Sequence, residues 1–303
     1  MAQSPPIVSV ELQGGLGNQM FQYAAGHALA RRTGAALRLN LNRFAQADKR
    51  RYELECFVLP APVTQERSPG AYRGLAHALL VKGCNRIGRS TRALHDGWHV
   101  YIQPGFHFDP AFEALVPPVN LVGYFQSEQY FRAVSDEIRK LFTIRVPTSP
   151  AFAAARAQIA AADWPVSIHV RGGDYVSDPT TLAIHGICDE TYYGSAASLA
   201  ARLCDKPPTF FVFSDDPAYA RRMLGPVRNA IHLSGDPARP WEDMALMASC
   251  RGRIIANSSF SWWGAWLDPR PDKWVFAPRQ WFALEHLRKV STADILVPGW
   301  IGL

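Results

Sequence analysis

The stretch VSIHVRGGDY, residues 166–175, reads as a buried strand ending in a charged, glycine-hinged loop. Val166–Val170 is the apolar run, and Arg171-Gly172-Gly173-Asp174-Tyr175 follows it directly. The same pattern recurs downstream. Phe210–Phe213 leads into Ser214-Asp215-Asp216-Pro217, and Arg253–Ala256 leads into Asn257-Ser258-Ser259-Phe260-Ser261. Ala230–Leu233 and Trp274–Ala277 are two further short apolar runs. Between most of them lie helical patterns over Tyr192–Cys204, Ala218–Leu224, Trp241–Cys250 and Phe260–Leu267. Strands alternating with helices predict an α/β fold with a parallel sheet and right-handed crossovers. Ligands of such sheets bind beyond the carboxyl ends of the strands, so the three polar loops are expected on one rim.

Working outward, the first half opens as strand, glycine loop, helix, strand. Ile7–Leu12 is extended and Gly14-Gly15-Leu16-Gly17 is the turn. Met20, Tyr23, Ala24, Ala28 and Leu29 mark a helix that Asn18 can cap and Gly34 can close. Ala36–Leu41 alternates as a second strand. Residues 60–118 are rich in Pro and Gly and show few strand signals. Asn120–Phe125 reads as a strand feeding a helix with Phe131, Val134, Ile138 and Leu141 on one face, capped by Ser127. Val146-Pro147-Thr148-Ser149-Pro150 breaks both periods and is the expected linker. Two domains follow: 1–147 and 148–303.

Composition bounds the function. A length of 303 residues corresponds to about two domains. With 48% hydrophobic residues, 9 Trp and 16 Phe, the chain can bury a substantial core and is not a disordered segment. No apolar run reaches the ~18 residues of a spanning helix. The start, MAQSPPIVSV, lacks the regions of a secretory signal. The five Cys do not fall in metal-ligand spacing and read as reduced thiols, so a cytoplasmic location is expected. The net charge of +6 suits an anionic ligand, but is too mild to indicate nucleic acid.

Each loop has a chemical and a bland reading. The Arg171 guanidinium matches phosphate oxygens, and Gly172-Gly173 lets a ligand approach the backbone; an ion pair with Asp174 is the competing role. Asp174 can equally brace Arg171 or cap a turn. Asp216 precedes Pro217 and is expected to cap a helix, which leaves Asp215 to accept hydrogen bonds from a base or ribose. Adjacent carboxylates in extended chain point to opposite sides, so no metal is expected. Asn257-Ser258-Ser259 opens a helix, where N–H groups and hydroxyls suit a diphosphate; ordinary capping is compatible with that. Trp262, Trp263 and Trp266 read as core. The loop at Gly15 and Gly17 lacks the third glycine and the acidic residue of a dinucleotide fingerprint, which argues against NAD or FAD.

Together the stretches GGLGNQMFQYA (14–24), GYFQSEQYF (123–131), HVRGGDY (169–175), HGICDETYY (185–193), FSDD (213–216) and ANSSFSWWGAWL (256–267) resemble the α-1,2-fucosyltransferases. These are inverting, GDP-fucose-dependent glycosyltransferases with a GT-B-like fold of two facing Rossmann-like lobes. The resemblance implies an acceptor-side N-terminal lobe and a GDP-fucose-binding C-terminal lobe. It implies that Arg171 binds the β-phosphate and stabilises departing GDP. His169 and Asp215, beside Ser214, would contact guanine or ribose. Ser258, Ser259 and Phe260 would close over the diphosphate, while Asn18, Gln19 and Gln126 would face the fucose or acceptor. The family's pattern has a second arginine where this chain has Gly172; paired glycines can offer backbone N–H groups instead.

The implied reaction transfers L-fucose to O2 of a terminal β-galactose of a glycan, without a metal or bound cofactor. Direct displacement by the acceptor hydroxyl needs a clamp on the charge growing on GDP, and Arg171 with the Asn257–Ser261 helix start is the expected one. Asp174 and His185 are candidates for the base; an exposed, idle His185 is the alternative. Rival functions are transfer from another nucleotide sugar, a silent carbohydrate- or nucleotide-binding protein and, more distantly, a nicotinamide oxidoreductase. Residues 67–95 hold Arg67, Arg73, Lys82, Arg86, Arg89 and Arg92 without Asp or Glu. They read either as a solvated face or as a peripheral contact with an anionic bilayer.

Overall fold

In the computed structural model the first strand, β1 (Ile7–Glu11), is flanked by β2 (Ala36–Asn40) and β6 (Val119–Val122), all parallel. Residues 5–44, 50–65, 91–95, 97–173, 178–225, 227–233, 235–288 and 290–303 are described by the structure. The chain divides into two compact units, 1–145 with 290–295, and 146–289 with 296–303.

The first unit is a six-stranded sheet of order β3-β2-β1-β6-β5-β4, where β3 is Val63–Thr64, β4 is Thr91–His95 and β5 is Trp98–Ile102. All its pairings are parallel except β4 with β5. Helix α1 (Leu16–Thr33) crosses from β1 to β2. A Cβ at Gly26 would run into Val10 and Leu37, so the helix needs a glycine there to lie this close to the sheet. Gly34 closes α1 at φ 68°, in the left-handed region that glycine enters without penalty.

Two expectations fail here. Residues 60–118 are not strand-poor, because β5 is an inner strand with Val100, Tyr101 and Ile102 all buried. Burial on both faces erases the alternation that would have marked it. The helix expected after β6 is broken into 3-10 turns at Glu128–Tyr130 and Arg132–Val134, and only Ser135–Leu141 forms helix α2. Tyr130 and Phe131 are buried, and their packing overrides the helical period. Just before them Phe125 sits at φ 54°, an unusual backbone for a bulky residue that costs ~1–3 kcal/mol. It is held there by rings of Tyr101, Phe112 and Tyr130 at 4.9–6.2 Å among themselves and from its own.

The second unit carries a fully parallel sheet of order β12-β11-β10-β7-β8-β9. Its strands are β7 (Pro165–Val170), β8 (Thr209–Ser214), β9 (Ala230–His232), β10 (Gly252–Ile254), β11 (Trp274–Ala277) and β12 (Ile301–Gly302). The helices are α3 (Pro150–Ala161), α4 (Pro179–His185), α5 (Glu190–Leu203), α6 (Pro217–Met223), α7 (Pro240–Ser249), α8 (Ser259–Trp266) and α9 (Leu284–Leu287). Local chemistry sets their starts. Ser149, Asp178, Asp189, Asp216 and Ser258 each accept a backbone N–H at a helix entrance, each cap contributing ~1 kcal/mol. Pro150 therefore starts a helix rather than merely breaking one. All six residues of β7 are buried, and Val166, Ile168, Phe210, Val212, Ile254 and Phe276 form the core with α5. Trp262, Trp263 and Trp266 are buried as expected, with Trp262 and Trp266 stacked at 6.0 Å.

The four described cysteines, Cys56, Cys188, Cys204 and Cys250, are free. No helix among the described residues is long and apolar enough to cross a membrane. Of the basic segment 67–95, residues 67–90 lie outside the described residues and Thr91–His95 form β4.

Candidate functional site

β7 lies between β8 and β10, so the three loops singled out by sequence leave neighbouring strands. The register sets Val170 opposite Ser214, and one residue further on Arg171 meets Asp215. The Arg171 Nη1 to Asp215 Oδ2 distance is 2.6 Å. The Gly172 N–H donates to Asp215 Oδ1 at 2.8 Å. Asp215, expected from sequence to be free for a base or ribose, is instead engaged through both oxygens. Its two oxygens fix the guanidinium and the glycine amide, and its partner is Arg171 where Asp174 had been the bland candidate. Asp174 lies outside the described residues.

The glycine pair follows from packing. A Cβ on Gly172 would come within 2.8 Å of Asp216 Cβ and 3.2 Å of the Tyr219 ring. Gly173 adopts φ 43°, and a Cβ there would press on the Asp215 carboxylate. This loop geometry has no room for the second arginine of the family's pattern. Asp216 caps α6 as expected, accepting from the Tyr219 N–H at 2.9 Å. Ser214 Oγ accepts from the Asp216 N–H at 3.0 Å, which makes it a shaper of the loop.

His169, at the end of β7, is buried with its ring against Phe260 at 5.6 Å. Burial, aided by Arg171, pushes its pKa down to about 3, so the imidazole is neutral. Its Nδ1 is buried without a hydrogen-bond partner among the described residues. Ser258 caps α8 through the Phe260 N–H at 3.3 Å. Ser259 and Phe260 are half-buried, and the Ser259 hydroxyl makes no hydrogen bond among the described residues. The rim therefore gathers a braced cation, a helix start and two polar groups with capacity to spare, the arrangement that anions favour.

Asn257 and His185 depart from expectation. The Asn257 side chain is buried, donating to the carbonyls of His185 at 2.9 Å and Trp281 at 3.3 Å and accepting from the Cys188 thiol at 3.6 Å. It ties three segments together and is spent as a ligand group. His185 is the last residue of α4, half-buried rather than exposed, and its ring lies 5.4 Å from that of Phe282.

The glycine loop belongs to the first unit. Gly15 is the N-cap of α1 and its carbonyl accepts from the N–H groups of Asn18 and Gln19; Gly17 sits in the first turn. Asn18 is therefore inside the helix and does not cap it. Its Oδ1 instead accepts from Gln126 Nε2 at 2.8 Å. Gln19 is fully buried, donating to the carbonyls of Gly14 and Arg51 at 2.9 and 2.8 Å and accepting from the Glu53 N–H at 2.9 Å. That side chain holds the 51–53 segment and has nothing left for a sugar.

Sequence reading missed Asp243. It lies in the first turn of α7, where an acid reads as a complement to the helix dipole. A Cβ on Gly235, just past β9, would collide with its carboxylate, so it faces the outer edge of the same rim. Burial, then Glu242 and Asp236, push its pKa up to about 6, and it makes no hydrogen bond or ion pair among the described residues. A glycine three residues beyond the end of β9 was the available signal. Among the described residues no group of three or more His, Cys, Asp or Glu is placed to hold a metal ion.

Residues 116–303 match Glycosyl transferase family 11. The chain belongs to glycosyl transferase family 11. This family 11 chain is 31% identical over 294 residues to the alpha-1,2-colitosyltransferase of Escherichia coli, covering 93% of this chain and 94% of that protein. It is 28% identical over 312 residues to the Escherichia coli O-antigen biosynthesis glycosyltransferase WbnK, covering 96% and 99%. Against the galactoside alpha-(1,2)-fucosyltransferase 2 of Oryctolagus cuniculus, identity is 24% over 265 residues, covering 86% and 66%. The crystal structure of fucosyltransferase NodZ from Bradyrhizobium superposes with a TM-score of 0.51 at 14% identity, over 88% of this chain and 95% of that one. The family 11 chain is thus a glycosyltransferase of the α-1,2-fucosyltransferase family with a GT-B-like α/β fold.

Proposed function

We propose that this glycosyltransferase moves L-fucose from GDP-fucose to O2 of a terminal β-galactose of a glycan, by inverting displacement without a metal. The Arg171–Asp215 pair at the carboxyl rim carries the reading. The acceptor hydroxyl attacks the anomeric carbon as the sugar–phosphate bond breaks. The bonding pair leaves on the β-phosphate oxygen, and the hydroxyl proton departs to solvent or a base. Charge grows on GDP, so catalysis requires a cation aimed in advance. Asp215 supplies the aim: a guanidinium fixed at 2.6 Å need not reorganise.

For the nucleoside, His169 Nδ1 and the Asp243 carboxylate have no hydrogen-bond partner among the described residues. Guanine presents two adjacent N–H donors on one edge, which a carboxylate can accept together. Asp243 takes over the part that sequence had given Asp215. The base is left to Asp174 and His185. Cofactor-free chemistry stands as part of this proposal.

The test is incubation with GDP-fucose and lactose, followed by linkage analysis of the trisaccharide. An α-1,2 linkage on galactose supports the reading; no product, or another linkage, refutes it. Binding that prefers UDP over GDP would refute the donor assignment. The relation to an alpha-1,2-colitosyltransferase supports a second reading, in which the donor carries colitose; competition between the two nucleotide sugars separates them.

A further inference from the structure

The strand tips of the first unit hold a feature that the donor rim does not use. Beyond β6 the chain runs Gly123-Tyr124-Phe125-Gln126, and Phe125 is fully buried at φ 54°. Gln103, just past β5, locks this turn by accepting from the N–H groups of Tyr124 and Phe125 at 2.9 and 2.8 Å. Gly123 lies so close to Gln103 that a Cβ there would come within 2.6 Å of it. Strain kept at a strand tip by a buried lock commonly serves to aim a neighbour. The neighbour is Tyr124. Its ring lies parallel to that of Phe106, at 6.0 Å and 13°, and both are only half-buried.

Charged groups of both signs lie around Tyr124. Arg43 pairs with Glu11 at 2.6 Å, and Arg50 and Glu53 both face Gly15, at 3.5 and 3.7 Å from where a Cβ would stand. The Tyr124 hydroxyl makes no hydrogen bond among the described residues. Burial raises its pKa, while Arg43 and Arg50 oppose the rise. A partly exposed aromatic face, bordered by arginines that each have a carboxylate beside them, suits a ligand with an apolar face and a rim of hydroxyls.

We propose that Tyr124 and Phe106 form the shelf on which the terminal neutral pyranose of the acceptor lies. The shelf rests on the reading of the chain as a transferase to a sugar hydroxyl, and names the residues that select the sugar. An acidic sugar is disfavoured, because both arginines already face carboxylates.

The experiment uses the full chain and three variants: Tyr124→Ala, Tyr124→Phe and Phe106→Leu. Lactose KM is measured with GDP-fucose, GDP affinity by calorimetry, and saturation transfer to methyl β-D-galactopyranoside, methyl β-D-glucopyranoside and methyl β-D-glucuronide by NMR. Tyr124→Ala should raise lactose KM about tenfold and leave GDP affinity within about twofold. Tyr124→Phe, which keeps the ring, should stay within about threefold, and Phe106→Leu should fall between them. Should Tyr124→Ala not fold, the other two variants carry the comparison. Saturation transfer that is strongest for the neutral sugars and lost in Phe106→Leu supports the shelf even if no GDP-fucose turnover is found. Unchanged KM and saturation transfer in Phe106→Leu and Tyr124→Ala overturns it. So does equal loss in Tyr124→Phe and Tyr124→Ala, preference for the glucuronide, or absence of saturation transfer to the wild type. Failure of GDP to bind the wild type would strike the donor reading instead.

Discussion

Replacing Arg171 with Lys keeps one positive charge but removes the planar fork. In the native loop one guanidinium nitrogen meets Asp215 at 2.6 Å, and the side chain is 21% exposed. A lysine ammonium is a single point. If it holds Asp215 it withdraws from the phosphate, and if it reaches the phosphate it leaves Asp215 without its guanidinium. Loss of one preorganised donor to a developing anion raises the barrier by ~2.7–4 kcal/mol, or ~10²–10³-fold in rate. The expected result is a fall of that size in kcat/KM for GDP-fucose, with weaker GDP binding by calorimetry. Asp215→Asn should lose less, about tenfold, because the Gly172 N–H keeps an acceptor while the guanidinium loses its charged partner. The double variant should fall little below Arg171→Lys alone, since Asp215 acts through Arg171. Rates within about threefold of wild type for Arg171→Lys, or fully additive losses, would refute the clamp.

Three further outcomes follow from the geometry. GDP affinity should drop as pH falls through about 6, because guanine's donors bind the ionised Asp243 and protonation removes the acceptor; Asp243→Asn should flatten that profile in a calorimetric pH series. Gly172→Arg, which restores the family's second arginine, should lower the melting temperature and not raise activity, since its Cβ meets Asp216 at 2.8 Å and overpacking costs ~1–3 kcal/mol. Trp263→Ala should cost ~3–5 kcal/mol in urea unfolding, as a fully buried indole leaves a cavity between Trp262 and Trp266.

The second unit was legible because its strands are short apolar runs separated by helical patterns. Strands β7 to β11 and helices α5 to α8 lie within a few residues of where periodicity puts them, whereas β12, α3, α4 and α9 carried no sequence reading. The first unit was harder. β5 hid because burial on both faces leaves no alternation, and the stretch after Phe125 was misread because ring packing, not helical spacing, places Tyr130 and Phe131. At the carboxyl rim of the second sheet, sequence located the loops but not the division of labour. Asp215, Asn257 and Gln19 are side chains whose residue types suit ligands, yet each is consumed by partners distant in sequence. Asp243 was invisible for the opposite reason: its desolvation comes from Gly235 and neighbours that a helical pattern does not display.

The Asn257 carboxamide has a practical consequence. Its partners include the Cys188 thiol, whose pKa burial pushes up to about 12, so that sulfur is inert while the knot is closed. Alkylation of Cys188 then clocks the rate at which this part of the rim comes undone. The molecule thereby carries an internal stopwatch for ligand protection, read by mass spectrometry without adding a dye.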